Sequence, residues 1–244
     1  MTSVPRGETL IINIKKVKDQ PERLGAQRDE DRLVEMFKSL GYNIKTHQDK
    51  TAEEIEAIVR TFAQSVSLCN IDSVIVVLMS HGTNDFIDGC DGKKINVNHL
   101  INFFNKDGCP TMAGKPKMFI INACRSDISS CCPVRIGSTT PVSDATFKSD
   151  GPLDSFLPMM SDLVIAYSTF QGYESYRDEN EGSYFIQCLA KVLEELSSRE
   201  HVMNMLTEVN YRVAKMCRQD PGHTQIPAPV TTLRKKWYLN PPQL

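Results

Sequence analysis

Met118-Phe119-Ile120-Ile121-Asn122-Ala123-Cys124-Arg125-Ser126 is the stretch on which the reading of this chain turns. An apolar, β-prone run ends abruptly, and the residue just past its end is a cysteine. A short apolar run with no polar alternation is the pattern of a strand buried on both faces. Val74-Ile75-Val76-Val77-Leu78-Met79-Ser80-His81-Gly82 repeats the form upstream and ends on His-Gly. Two such strands, each delivering a reactive side chain at the carboxyl edge of a sheet, bring a thiol and an imidazole together. A cysteine nucleophile is therefore the leading expectation.

Outward from these two runs, the periodicity changes in a regular order. Residues 9–15 read as a strand, and residues 27–40 carry a helical stripe of Leu33, Val34, Phe37 and Leu40 that Gly41 stops. Tyr42 to Thr46 is a short strand. Thr51 to Glu54 forms a capping box ahead of Ile55, Ile58, Val59, Phe62 and Val66 at helical spacing. Phe86 to Val97 holds two Asp-Gly pairs and reads as a small hairpin, residues 98–105 as a third helix and 117–122 as a strand. The order β-α-β-α-β-α-β calls for an α/β fold, a parallel sheet with helices on both faces. Ligands and reactive groups in such sheets gather beyond the carboxyl ends of the strands, where His81 and Cys124 lie.

Residues 125–161 break the pattern with Ser, Thr, Pro, Gly and Asp and few regularly spaced apolar residues. Beyond them Leu163 to Ser168 reads as a strand, Gly182 to Leu196 and Val202 to Met216 as helices, and Val230 to Leu239 as a last strand.

Bulk composition narrows the function classes. With 244 residues, 41% hydrophobic and 24% charged, the chain can bury a sizeable core. A formal net charge of −2 is too balanced for a nucleic-acid or anionic-membrane surface. The longest uninterrupted apolar run is too short to span a bilayer, and the first residues lack the apolar core of a signal peptide, so a cytoplasmic protein is expected. The eight cysteines include no Cys-x-x-Cys, and the adjacent Cys131-Cys132 pair suits no tetrahedral site. No metal or cofactor is expected, and most of the thiols are expected to be small buried hydrophobes.

At Cys124 the chemistry needs three things. His81 would serve as acid–base and protonate the leaving amine. Gly82 leaves its backbone N–H unobstructed, so that it can point at an oxyanion beside the N–H of Cys124. Oxyanion donors of this kind contribute about 10²–10³ in rate each.

Ser80-His81-Gly82, and Asn122-Ala123-Cys124-Arg125 after Lys117-Met-Phe-Ile-Ile, resemble the caspase family, whose signature places a histidine about 50 residues before Gln-Ala-Cys. Further matches run along the chain at Arg23-Leu-Gly25, at Gly172 to Arg177, at Gly182 to Gln187, and at Ile226 to Lys236. The resemblance implies a three-layer sandwich built on a mostly parallel six-stranded sheet. It divides the chain into a large-subunit part (1–126), an intersubunit linker (127–161) and a small-subunit part (162–244). It implies Cys124 as nucleophile, His81 as acid–base oriented by the Pro21 carbonyl, and Gly82 with Cys124 as the oxyanion hole. Arg23, Arg177 and the Asn122 amide would hold a substrate aspartate, and the backbone of Ser175, Tyr176 and Arg177 would pair with the extended substrate.

The same resemblance implies a zymogen matured at a linker aspartate, Asp144 or Asp150 ahead of Asp127 and Asp154. Protein substrates with aspartate at the cleavage site are the implied partners. So are a second copy or another caspase as dimer partner, and an inhibitor or activating caspase. With the first strand near residue 9, a bare protease domain without adaptor domain or propeptide is expected. Three positions depart from the family. Asn122 shortens the usual glutamine by one methylene, and a lost hydrogen bond there would cost about 0.5–1.5 kcal/mol. Ser126 replaces a glycine, which adds strain if the loop needs positive φ. Glu174 replaces an apolar wall, and an altered preference for a basic or small polar residue before the aspartate is expected. These departures keep a second reading open, a weakly active or non-catalytic homologue that regulates an active caspase by dimerisation.

Overall fold

The computed structural model describes residues 3–126, 160–219 and 222–240. Its first part runs through β1 (Gly7–Asn13), α1 (Ala26–Ser39), β2 (Tyr42–Gln48), α2 (Ala52–Ala63) and β3 (Ser73–Met79). Three short strands follow, β4 (Gly82–Thr83), β5 (Phe86–Asp88) and β6 (Lys94–Asn96), then α3 (Val97–Asn102) and β7 (Lys117–Asn122). Past residue 160 come β8 (Leu163–Tyr167), β9 (Arg177–Asp178), β10 (Gly182–Ser183), α4 (Tyr184–Leu196), α5 (Val202–Gln219) and β11 (Ala228–Thr231).

The main sheet has the order β11-β8-β7-β3-β1-β2, parallel throughout except for β11. This is the mostly parallel six-stranded sheet expected. Alternate residues of its strands feed two separate cores. Leu10, Ile12, Val76, Leu78, Phe119 and Ile121 pack with α2 and α3 on one face. Ile11, Ile75, Val77, Met118, Ile120 and Val164 pack with α1, α4 and α5 on the other. A strand covered on both faces can afford no polar alternation, so β3 and β7 are apolar runs. Each such side chain contributes about 1.5–3 kcal/mol through burial.

The strand order reverses between β1 and β3, since the chain goes from β1 outward to β2 and then returns to the other side of β1. A crevice at the carboxyl edge is the consequence. The loop after β1 carries Arg23, the turn after β3 carries His81, and the turn after β7 carries Cys124. Met79 of β3 is in register with Asn122 of β7, and Ser80 N donates to Asn122 O at 3.3 Å. His81 and Cys124 each lie two residues beyond that matched pair, so the sheet delivers them at one level.

Several boundaries differ from the sequence reading, each for a local reason. Thr51 does cap α2, accepting from Glu54 N while Glu54 reciprocates. The expected hairpin over 86–97 gains a third strand because Gly82–Thr83 pairs with Phe86–Ile87. The helix expected from Gly182 starts at Tyr184, because Gly182 and Ser183 pair with Asp178 and Arg177. The strand expected over 230–239 leaves the sheet after Thr231. Arg234 clasps Asp162, donating Nη2 to Oδ2 at 2.5 Å and Nε to Oδ1 at 3.1 Å. Trp237 and Leu239 then bury in the core on the α1–α4–α5 face. The apolar residues read as strand thus serve a helix-side core. Among the described residues no helix is long and apolar enough to cross a membrane.

Candidate active site

The Cys124 thiol lies against the backbone of Ser175. Ser175 N donates to Sγ at 3.5 Å, and Sγ lies 3.9 Å from Ser175 O. Burial pushes the thiol above its ordinary pKa. Glu174 adds to this, while the Ser175 N–H, Arg177 and Arg23 pull the other way without prevailing. His81 is half-buried, and its Nε2 is 2.9 Å from the Pro21 carbonyl. An Nε2–H donor to that carbonyl leaves Nδ1 as the basic nitrogen. Burial lowers the imidazole pKa, the Pro21 contact opposes this, and Arg23 and Arg177 lower it further. Both shifts disfavour the charged forms of the pair.

Gly82 lies beside them. A Cβ there would come within 2.5 Å of Phe86 O and 3.1 Å of the Ala123 side chain. The backbone of β5 leaves no room for a side chain there, and the turn carrying Cys124 closes in from the other direction.

Arg23 is 3% exposed. Its Nη1 donates to Ile14 O at 2.8 Å and to Asn13 Oδ1 at 3.3 Å. Burial and then Arg177 lower its pKa to about 9, so it keeps its charge at neutral pH. Arg177 comes from β9, more than 150 residues later, and donates Nε to Leu24 O at 2.7 Å. Burial lowers its pKa too, against the pull of Asp29 and Cys124. Arg177 thus acts on the charge of Arg23, and Cys124 lies within electrostatic reach of both. Among the described residues, neither guanidinium is in an ion pair.

Asn122 is turned inward and 2% exposed. Its Nδ2 donates to Ser183 Oγ at 2.9 Å, and its Oδ1 accepts from Ser175 Oγ at 3.3 Å. The amide is thus committed to two serines rather than open toward a substrate. Tyr176 is engaged in the same way: its N–H goes to Gln225 Oε1 at 2.9 Å and its carbonyl accepts from Tyr184 N at 3.2 Å. Alternation along an extended chain leaves Ser175 and Arg177 as the residues whose backbone faces the crevice. Of the three residues expected to pair with substrate, only those two have backbone groups left over for it.

Ser126 is not among the residues with positive φ, so serine carries no left-handed strain there. Glu174 is exposed. Asp144 and Asp150, with Asp127 and Asp154, lie outside the described residues.

Four supporting residues escaped the sequence reading: Asp29, Ser183, Gln225 and Arg125. Arg125 donates Nη2 to Asp85 at 2.8 Å and Nε to Asn84 O at 3.2 Å, and stacks 3.9 Å over the Tyr167 ring. Its backbone joins the other loop, with Arg125 N donating to Tyr173 O and Gly172 N to Arg125 O. It ties the turn after Cys124 to loops from both sides. Its position next to the cysteine was the available signal. Asp29, Ser183 and Gln225 had none, because each is a common polar residue whose partner is remote in sequence.

A thiol and an imidazole at the carboxyl edge of a parallel sheet, beside a cationic recess, define a cysteine-protease class of site. A family model for the caspase domain matches residues 6–238. Caspase-7 of Gallus gallus is 34% identical over 96% of this chain and 77% of that protein. Caspase-3 of Felis catus is 34% identical over 96% of this chain and 83% of that protein. Caspase-8 of Rattus norvegicus is 31% identical over 99% of this chain, which spans about half that protein's length (52%). The chain belongs to the caspase family.

Proposed function

We propose that this chain is a caspase-type cysteine endopeptidase that cleaves peptide bonds after aspartate, in apoptosis or related regulated proteolysis. One observation carries the reading: Arg23 and Arg177, two charged guanidiniums with donors to spare, are held together within electrostatic reach of Cys124. A carboxylate accepts directed, charge-assisted hydrogen bonds from such a pair. A neutral side chain would leave the arginines unpaired, at a cost of about 2–5 kcal/mol.

In the reaction, the substrate extends along Ser175 and Arg177 with its aspartate between the arginines. Cys124 Sγ attacks the carbonyl carbon as its proton passes to His81. The oxyanion is met by the backbone N–H groups of Gly82 and Cys124. The C–N bond breaks as His81 returns the proton to the leaving amine. Water, deprotonated by His81, then hydrolyses the thioester and frees the thiol. Because both shifts disfavour charge in the free protein, proton transfer in this reading accompanies the attack rather than preceding substrate binding.

The second reading, a weakly active homologue that regulates another caspase, is favoured by the inward commitment of the Asn122 amide. Hydrolysis of short peptides ending in aspartate, by the wild-type dimer and by Cys124→Ala, separates the two. Turnover that vanishes in the variant supports the enzyme. Absence of turnover in a folded, linker-cleaved wild-type dimer rules it out in favour of the regulator.

A further inference from the structure

Behind the two guanidiniums lies a buried carboxyl that the reaction does not use; burial raises its pKa, against the pull of Ser183, Arg23 and Arg177. Asp29 lies in the first turn of α1, six residues after Arg23, and is fully buried. Its Oδ1 accepts from Ser183 N at 2.8 Å and its Oδ2 from Ser183 Oγ at 2.5 Å. Ser183 is the register partner of Arg177 across the β9–β10 ladder. The bond therefore joins the segment that carries Arg23 to the segment that carries Arg177.

The packing around this bond is built for it. Gly182 has φ +88°, and a Cβ there would run into Asp29 Oδ1. Gly25, which precedes α1, has φ +81°, and a Cβ there would lie 2.5 Å from Asp178 O. Side chains at either glycine would push the two segments apart.

The charge arrangement is unusual in one respect. A buried carboxylate beside two arginines would ordinarily form an ion pair with one of them and fill its donors. Here both oxygens are taken by one serine, and Asp29 forms no ion pair among the described residues. Its charge still favours the charged form of both guanidiniums across the recess. Arg23 has spent Nη1, and Arg177 has spent Nε. The remaining donors are left for an incoming anion. Two positive charges and one negative leave the recess one charge short of balance, which one substrate carboxylate supplies. The same serine hydroxyl accepts from Asn122, which explains why that amide faces the clasp and not the recess.

We propose that Asp29, clasped by Ser183, is the positioning residue of the aspartate pocket: it joins the two arginine-bearing segments and balances their repulsion without occupying the donors that grip substrate. The inference rests on the aspartate-pocket reading above.

Binding tests it without requiring turnover. Fluorescent peptide amides ending in aspartate or in its neutral isostere asparagine are titrated into the Cys124→Ala protein, followed by anisotropy. The aspartate peptide is expected to bind at least about tenfold more tightly. Asp29→Asn preserves shape and removes the charge. It is expected to cut that preference by about fivefold or more while leaving the asparagine peptide's affinity nearly unchanged. Ser183→Ala keeps the charge and frees Oδ2 to turn toward the arginines, and the preference is expected to fall there too. Should Asp29→Asn not fold, Ser183→Ala decides alone. A folded variant that retains the preference within about twofold overturns the proposal, because a merely structural residue would weaken both peptides together. Cys124→Ala protein with no preference for aspartate overturns the pocket reading and the role of Asp29 with it. Preference in Cys124→Ala without hydrolysis by the linker-cleaved wild type overturns the enzyme reading only.

Discussion

At the scale of single residues, the two reactive groups carry opposite pKa shifts, and both suppress charge. Burial raises the Cys124 thiol and lowers the His81 imidazole. The signs fix a pH dependence. A raised thiol is less ionised at pH 7 than a free cysteine, and its thiolate grows only as pH climbs past the ordinary value near ~8.5. Alkylation of Cys124 by iodoacetamide in the free protein should therefore be slow at neutral pH. It should rise about tenfold per unit and keep rising above the ordinary thiol range. A rate that levels off below pH 7 would mean a preformed thiolate–imidazolium pair and sink this account. Cys124, His81, Gly82, Arg23 and Arg177 were all legible as candidates, because motif position marks them. The inward turn of Asn122 was not, since an amide beside a cysteine reads the same whether it faces a substrate or two serines.

At the scale of elements, the glycines of the β9–β10 hairpin and the α1 entry make the most specific demand on sequence. Gly182→Ala forces both a left-handed backbone on alanine, at about 1–2 kcal/mol, and a collision with Asp29. Gly114 also has positive φ, +72°, but a Cβ there meets nothing within 4 Å. Gly114→Ala should cost only the backbone term and Gly182→Ala clearly more, read as denaturant midpoints at equal slope. Equal losses would show that the contact with Asp29 carries no weight. Amphipathic helices and buried runs were readable because each announces its own burial. The two-residue strands Gly82–Thr83, Arg177–Asp178 and Gly182–Ser183 were not. Pieces so short have no periodicity, and only their partners make them strands.

At the scale of the whole molecule, the sheet ends on β11, an antiparallel edge strand with Val230 half exposed. Its outer backbone groups have no strand beside them among the described residues, and unpaired edges invite pairing. A dimer with a second copy or another caspase is proposed to form through this edge. Sedimentation should give a dimer for the wild type and a monomer for Val230→Asp, which places a charge on that face. Unchanged sedimentation of the variant would move the interface elsewhere.

The sequence by itself determined the layers and the candidate nucleophile. Strand and helix periods, and the polar residues that end each buried run, depend on neighbours a few positions away. What only the tertiary structure decided is the candidate pocket. Arg23 and Arg177, Asp29 and Ser183, and Asn122 and Ser175 are each brought together across 50 to more than 150 residues. Their geometry depends on which strands become neighbours, how the β9–β10 hairpin seats on α1, and where one buried carboxylate finds its donors. No local period encodes such contacts, because each partner is an ordinary polar residue until the fold places the other beside it.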